Sequence, residues 1–313
     1  MMAESSKNNG MQLAPVIIMG LFFVLIYGLA LLILHPFETA GIQPAFENPD
    51  DPTNILYIFV IMMVFTGVVL LIAKFWKKKL IQFIILGAIG YTAFYAFFLP
   101  AISLLLPNVN AWIVLAVSIS AAAALVMILF KYPEWYVIDL CGVIVGTSAI
   151  IVFGISLAIW LIIILLGGLA LYDAISVYKT KHMIDLADTV MDLKLPVLLV
   201  VPKIRSYSLI KETKRLKEQI ESDEDREAFF MGLGDIVMPG MLVVAVYYAA
   251  PHALSVVAGT IIGTLIGFSI LMRFVLKGNP QAGLPLLCGG AILGYIVSSL
   301  LFFGKLVGFG LSF

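Results

Sequence analysis

Nine stretches of roughly 20 apolar residues, separated by short polar segments, limit what this chain can fold into. A hydrocarbon core about 30 Å thick is crossed by about 20 residues of α-helix. Inside it every backbone amide must be bonded within its own segment, so such runs predict an all-α membrane protein. They fall at about 14–34, 55–73, 80–99, 110–130, 136–153, 156–178, 229–249, 253–273 and 284–303. The fifth and sixth share one almost unbroken apolar stretch, 137–178. One helix of that length would measure about 63 Å, twice the membrane, so two spans joined by a tight turn near Gly154 are predicted. The chain is 62% hydrophobic and 12% charged, about half the charge of an ordinary soluble domain, which excludes that class. The first run follows a short polar tail, is longer than a signal-peptide core and lacks a small-residue cleavage site, so it is read as a retained span.

The basic residues orient these spans. With the N-terminus in the cytoplasm, every Lys and Arg except Lys305 falls in the tail or in a cytoplasmic loop. That is the positive-inside pattern, and adding or removing one middle span would scramble it. The expectation is nine transmembrane helices in a multi-pass protein of the cell membrane, N-terminus cytoplasmic and C-terminus external. Residues 1–178 carry helices 1–6, residues 179–228 form a cytoplasmic loop, and residues 229–313 carry helices 7–9, all in one membrane domain. The first external loop holds Glu38, Glu47, Asp50 and Asp51 without a basic residue.

The long loop has three parts. Its opening, MIDLADTVMDLK, places Met183, Leu186, Ala187, Val190 and Met191 on one helical face, the pattern of an amphipathic helix on the membrane surface. LPVLLVVP, bounded by Pro196 and Pro202, reads as a strand or an extended plug. The rest, IKETKRLKEQIESDEDREAF, reads as a solvated helix or a disordered linker. Gly259, Gly263 and Gly267, with Gly290 and Gly294, repeat at four-residue spacing and predict close backbone packing of the last two spans. Cys141 and Cys288 both lie in apolar runs and read as buried thiols. Neither metal nor cofactor is expected, and nothing points to nucleic acid.

Two aspartates break the apolar pattern: Asp173 in the sixth run and Asp235 in the seventh. An ionisable group at membrane depth costs roughly 2.5 to 3.5 kcal/mol on insertion scales and is kept where it faces a partner or a water-filled cavity. Asp173 is about five residues, roughly 8 Å, inside the cytoplasmic face, and Asp235 about six residues, roughly 9 Å. Matched depth on adjacent antiparallel spans is the geometry of a dyad. Two carboxyls in contact cannot both ionise, so such a pair shares a proton. The ionised member can activate water while the protonated member polarises a carbonyl, the chemistry of aspartic peptide hydrolysis. Gly232 and Gly234, just before Asp235, clear side chains from around its carboxylate. The same residues also fit a proton relay in a secondary transporter, or buried acids bonded to a neighbouring helix. Asp139, near Glu134, reads as an interfacial residue at a helix start.

Tyr172-Asp173 in one span and Gly232-Leu233-Gly234-Asp235 in the next resemble the YD and GxGD signatures of the presenilin and signal peptide peptidase family of intramembrane aspartyl proteases. The resemblance extends to the span count, the long loop between the two aspartates and a proline at the entry to the ninth span. It implies Asp173 and Asp235 as the catalytic dyad, with Tyr172, Gly232, Leu233, Gly234, Leu284, Pro285 and Leu286 shaping the site or binding substrate. The family's Pro-Ala-Leu motif is replaced here by Gln281-Ala282-Gly283-Leu284-Pro285-Leu286. The resemblance further implies single-span or signal-peptide-like substrates, a bilayer environment, and a single-chain enzyme of prokaryotic, archaeal type. Such an enzyme is expected to work without an obligatory accessory subunit and to be capable of forming a homo-oligomer. The run Leu195 to Val201 is the candidate strand partner for an unwound substrate helix, with packing beneath the loop as the other reading.

Overall fold

The computed structural model describes residues 2–39, 43–75, 78–177, 198–203, 207–208, 228–276 and 281–309. The expected amphipathic helix at 183–194 and the charged stretch at 210–227 lie outside them.

The described residues are mostly helical. The order is α1 (Met2–Thr39), α2 (Thr53–Phe75), α3 (Lys78–Thr92), a π-helical segment (Ala93–Phe98), α4 (Leu99–Leu105), α5 (Ala111–Lys131), α6 (Trp135–Ser156) and α7 (Ile159–Ile175). Strands β1 (Leu198–Pro202) and β2 (Ala228–Gly232) follow, then α8 (Leu233–Ala249), α9 (Leu254–Val275) and α10 (Gly283–Phe303). Among the described residues, six helical stretches are long and apolar enough to cross a membrane, and α7 and α8 are shorter apolar helices.

Local chemistry explains several boundaries. Pro100 lacks the N–H that would bond the carbonyl of Ala96, and the helix widens into the π-segment around that gap. The Asn110 side chain accepts the Trp112 N–H at 3.0 Å and starts α5. The turn between the fifth and sixth runs falls at Leu157–Ala158 and not at Gly154. Gly154 instead lies against α8, where an added Cβ would sit 2.8 Å from Val244 Cβ. The segment between α1 and α2 clasps that turn, because Ala45 N–H donates to Ser156 Oγ at 2.8 Å and Ala158 N–H to the Pro49 carbonyl at 3.0 Å.

The core lies along α6. Of its most apolar window 72% is buried, against 28–44% for the other membrane-length helices, so α6 is the central post of the fold. Met19, Phe23, Ile26, Tyr27, Ala30 and Ile33 of α1 pack toward it at helical spacing. α9 and α10 meet backbone to backbone. A methyl group at Gly263, Gly267, Gly290 or Gly294 would overlap a main-chain oxygen of the facing helix, which is the close approach the spacing predicts.

LPVLLVVP contributes a strand, and its partner is β2. The two are antiparallel, with Leu198 opposite Gly232, Val200 opposite Phe230 and Pro202 opposite Ala228. Residues 228–232 therefore extend as β-structure before the seventh apolar helix, which begins at Leu233 and not near 229.

Candidate active site

Both aspartates lie at helix ends on the side of the fold that carries β1 and β2. Asp173 is in the last turn of α7 and only 3% exposed. Asp235 is the third residue of α8 and partly buried. Because β2 takes up residues 228–232, Asp235 is nearer its helix end than a span starting at 229 would place it. Asp173 is likewise two residues from the end of α7.

The start of α10 joins them. The first amides of a helix have no intrahelical acceptor. Here Leu284 N–H donates to Asp173 Oδ2 at 3.1 Å, and the Gly283 amide also acts on that carboxylate. Asp173 thus caps α10 from another helix, at the positive end of its dipole. Pro285, in the same first turn, sacrifices no hydrogen bond by lacking an N–H. Asp235 comes to the same dipeptide from the other side. An added Cβ on Gly283 would stand 3.2 Å from Asp235 Oδ2, and one on Gly232 would stand 3.4 Å from the same atom. The two carboxyls thus meet neighbouring residues of one dipeptide, Asp173 the Leu284 amide and Asp235 the Cα of Gly283.

The expected site residues divide by position. Asp173, Asp235, Gly232 and the Leu284 amide converge. Gly234 opens onto empty space, with nothing within 4 Å of an added Cβ. Leu233 turns toward α6, where its Cδ1 lies 3.0 Å from the Cβ position of Gly146. Tyr172 is 70% exposed, on the outer side of α7. Leu286 sets its carbonyl against Gly267 of α9, and Pro285 lines the apolar groove between α9 and α10.

Three residues join the site that sequence reasoning did not assign to it. Gly283 supplies the space between the carboxyls. Cys288 stands one turn after Leu284, on the same face of α10. Tyr27 of α1, wholly buried, donates its hydroxyl to the Ile236 carbonyl at 2.9 Å, one residue past Asp235. Pro239 takes away the donor for the Asp235 carbonyl, so Tyr27 steadies a turn with an incomplete hydrogen-bond ladder. The four-residue step from Leu284 to Cys288 was a readable signal; the Tyr27 contact spans 209 positions and had none. Among the described residues, no group of three or more His, Cys, Asp or Glu side chains is placed to hold a metal ion.

A family described as signal-peptide peptidase, presenilin aspartyl protease matches residues 19–304. Two solved structures of a presenilin family intramembrane aspartate protease share this fold. The one in space group C222 is 30% identical, with a TM-score of 0.66, covering 92% of this chain and 98% of that one. The one in space group P2 is 34% identical, with a TM-score of 0.67 and the same coverage. No curated protein matches the chain. A match over nearly the whole sequence, with the same fold in relatives at this identity, establishes that the chain belongs to the signal-peptide peptidase and presenilin family of intramembrane aspartyl proteases.

Proposed function

We propose that this protein is an endopeptidase that hydrolyses peptide bonds inside the transmembrane segments of other membrane proteins, with Asp173 and Asp235 as its catalytic pair. The observation that carries this reading is the convergence of both carboxyls on Gly283 and Leu284, one from α7 and the other from α8. In the proposed cycle the pair shares one proton. The ionised carboxylate takes a proton from water as its oxygen attacks the scissile carbonyl, while the protonated carboxyl donates to the carbonyl oxygen. Collapse of the tetrahedral intermediate breaks the C–N bond and passes a proton to the leaving amine. The titration belongs to the pair and not to either residue alone.

A helical substrate hides its carbonyls in its own hydrogen bonds, so it must unwind before water can attack. Because α6 lies against the outer edge of β1, where Asp139 Oδ1 accepts the Val200 N–H, an unwound segment would add along β2, the strand that leads into Asp235. The charge distribution supports nine spans with a cytoplasmic N-terminus, which sets the dyad near the cytoplasmic face of the cell membrane. Single-span proteins or signal-peptide-like segments are the proposed substrates. The chain is proposed to act without an accessory subunit, alone or as a homo-oligomer. The transporter reading has no support among the relatives, which are proteases.

Purified protein in lipid, incubated with a labelled single-span substrate, tests this. The expected result is cleavage near the cytoplasmic end of the substrate helix. Asp173→Asn and Asp235→Asn should each slow it by at least about 100-fold. Undiminished cutting by either variant would overturn the assignment.

A further inference from the structure

A third carboxylate inside the apolar region has no part in the proposed chemistry. Asp139, in the second turn of α6, is 5% exposed, and its Oδ1 accepts the Val200 N–H of β1 at 2.8 Å. Its carboxylate is turned into the fold, against β1, four residues after the helix start. Gly142 stands three residues on, on the same face of α6, and an added Cβ there would sit 2.8 Å from Leu199 Cδ2. The carboxylate and the gap beside it together seat β1 on α6.

That bond also fixes the directions of the strand. In an antiparallel pair, opposed residues alternate between those that exchange ladder bonds and those whose N–H and C=O point outward. The Val200 N–H goes to Asp139, so Val200 and Phe230 form an outward-pointing pair. The outer edge of β1 then consists of Leu198, Val200 and Pro202. Asp139 occupies the Val200 amide, and Pro202 has no amide hydrogen to offer. Two of the three outward positions on the edge facing α6 therefore have no amide to offer another strand. The last rung of the sheet, Leu198 opposite Gly232, stands three residues before Asp235.

We propose that Asp139 is a positioning residue: by holding the Val200 amide it fixes the height of the β1–β2 sheet against α6, and so selects which peptide bond of a bound segment reaches the dyad. The proposal rests on the reading of Asp173 and Asp235 as the catalytic pair. It assigns Asp139 no contact with substrate. Its action passes through β1, across the ladder to β2, and into Gly232.

The test maps cleavage positions by mass spectrometry on one single-span substrate, alongside amide exchange of residues 198–201 in the full-length protein. Asp139→Leu removes the acceptor and should move the principal cut by at least one residue, slow it about tenfold and speed exchange across β1. Asp139→Asn keeps a side-chain oxygen for the same amide and should restore the wild-type position. If Asp139→Leu does not fold, Val200→Pro removes the donor on an edge where proline is tolerated, and should give the same displacement. Unchanged cleavage positions and unchanged exchange in a folded Asp139→Leu or Val200→Pro protein, with Asp235→Asn inactive, would overturn the positioning role alone. Cleavage persisting in Asp235→Asn would overturn the dyad reading beneath it.

Discussion

At the residue scale, space and main-chain donors govern the site more than side-chain variety does. Gly283 stands between Leu284, whose amide holds Asp173, and the carboxyl of Asp235. A methyl group there requires Asp235 to yield by a few tenths of an ångström, so Gly283→Ala should retain most activity. A branched side chain has no such allowance. Gly283→Val is expected to lower kcat by about 10- to 100-fold through displaced carboxyls, with little change in KM; a wild-type kcat for this variant would show that the carboxyls are set elsewhere. Tyr27→Phe removes one buried hydrogen bond and should cost about 1 kcal/mol of stability, measured by thermal unfolding in detergent. Both aspartates were legible because a charge in an apolar run is conspicuous. Tyr27 and Asp139 were not, because their partners Ile236 and Val200 lie 209 and 61 positions away in the chain.

At the scale of elements, the apolar runs predicted most helices because twenty apolar residues leave the backbone no other way to bond itself in lipid. The exceptions are local. AFFMG, residues 228–232, is five residues of strand that an apolar window cannot tell from the start of a helix. Only β1, across a long interval of chain, decides it. The widened turn at Ala93–Phe98 likewise follows from one proline inside a continuous apolar pattern. The glycine repeats, by contrast, predicted the α9–α10 contact directly, because nothing larger fits where two backbones touch. Gly263→Val should therefore destabilise the protein by about 2 to 3 kcal/mol, read as a lower unfolding midpoint. An unchanged midpoint would mean that the two helices part easily.

At the scale of the whole molecule, the charge pattern carries an orientation that can be checked without any substrate. Lys305→Cys should react with a membrane-impermeant thiol reagent in intact cells, and Lys214→Cys only after permeabilisation; the reverse pattern would invert the topology. Cys141 and Cys288 are buried and provide a quiet background. The clasp on the α6–α7 turn has a mechanical consequence for the distant aspartates. Ala158 is tied to Pro49, Trp160 Nε1 donates to Asp50 Oδ1 at 3.4 Å, and Asp173 sits at the opposite end of α7. α7 is thus a beam held at its turn and along its buried face, with Asp173 at the far end, about 22 Å from the clasp. Each degree of pivot at the clamp swings the carboxyl by about 0.4 Å, and a displacement of about 1 Å can cost about 100-fold in rate. The Leu284 amide is the stay that holds the tip of that beam.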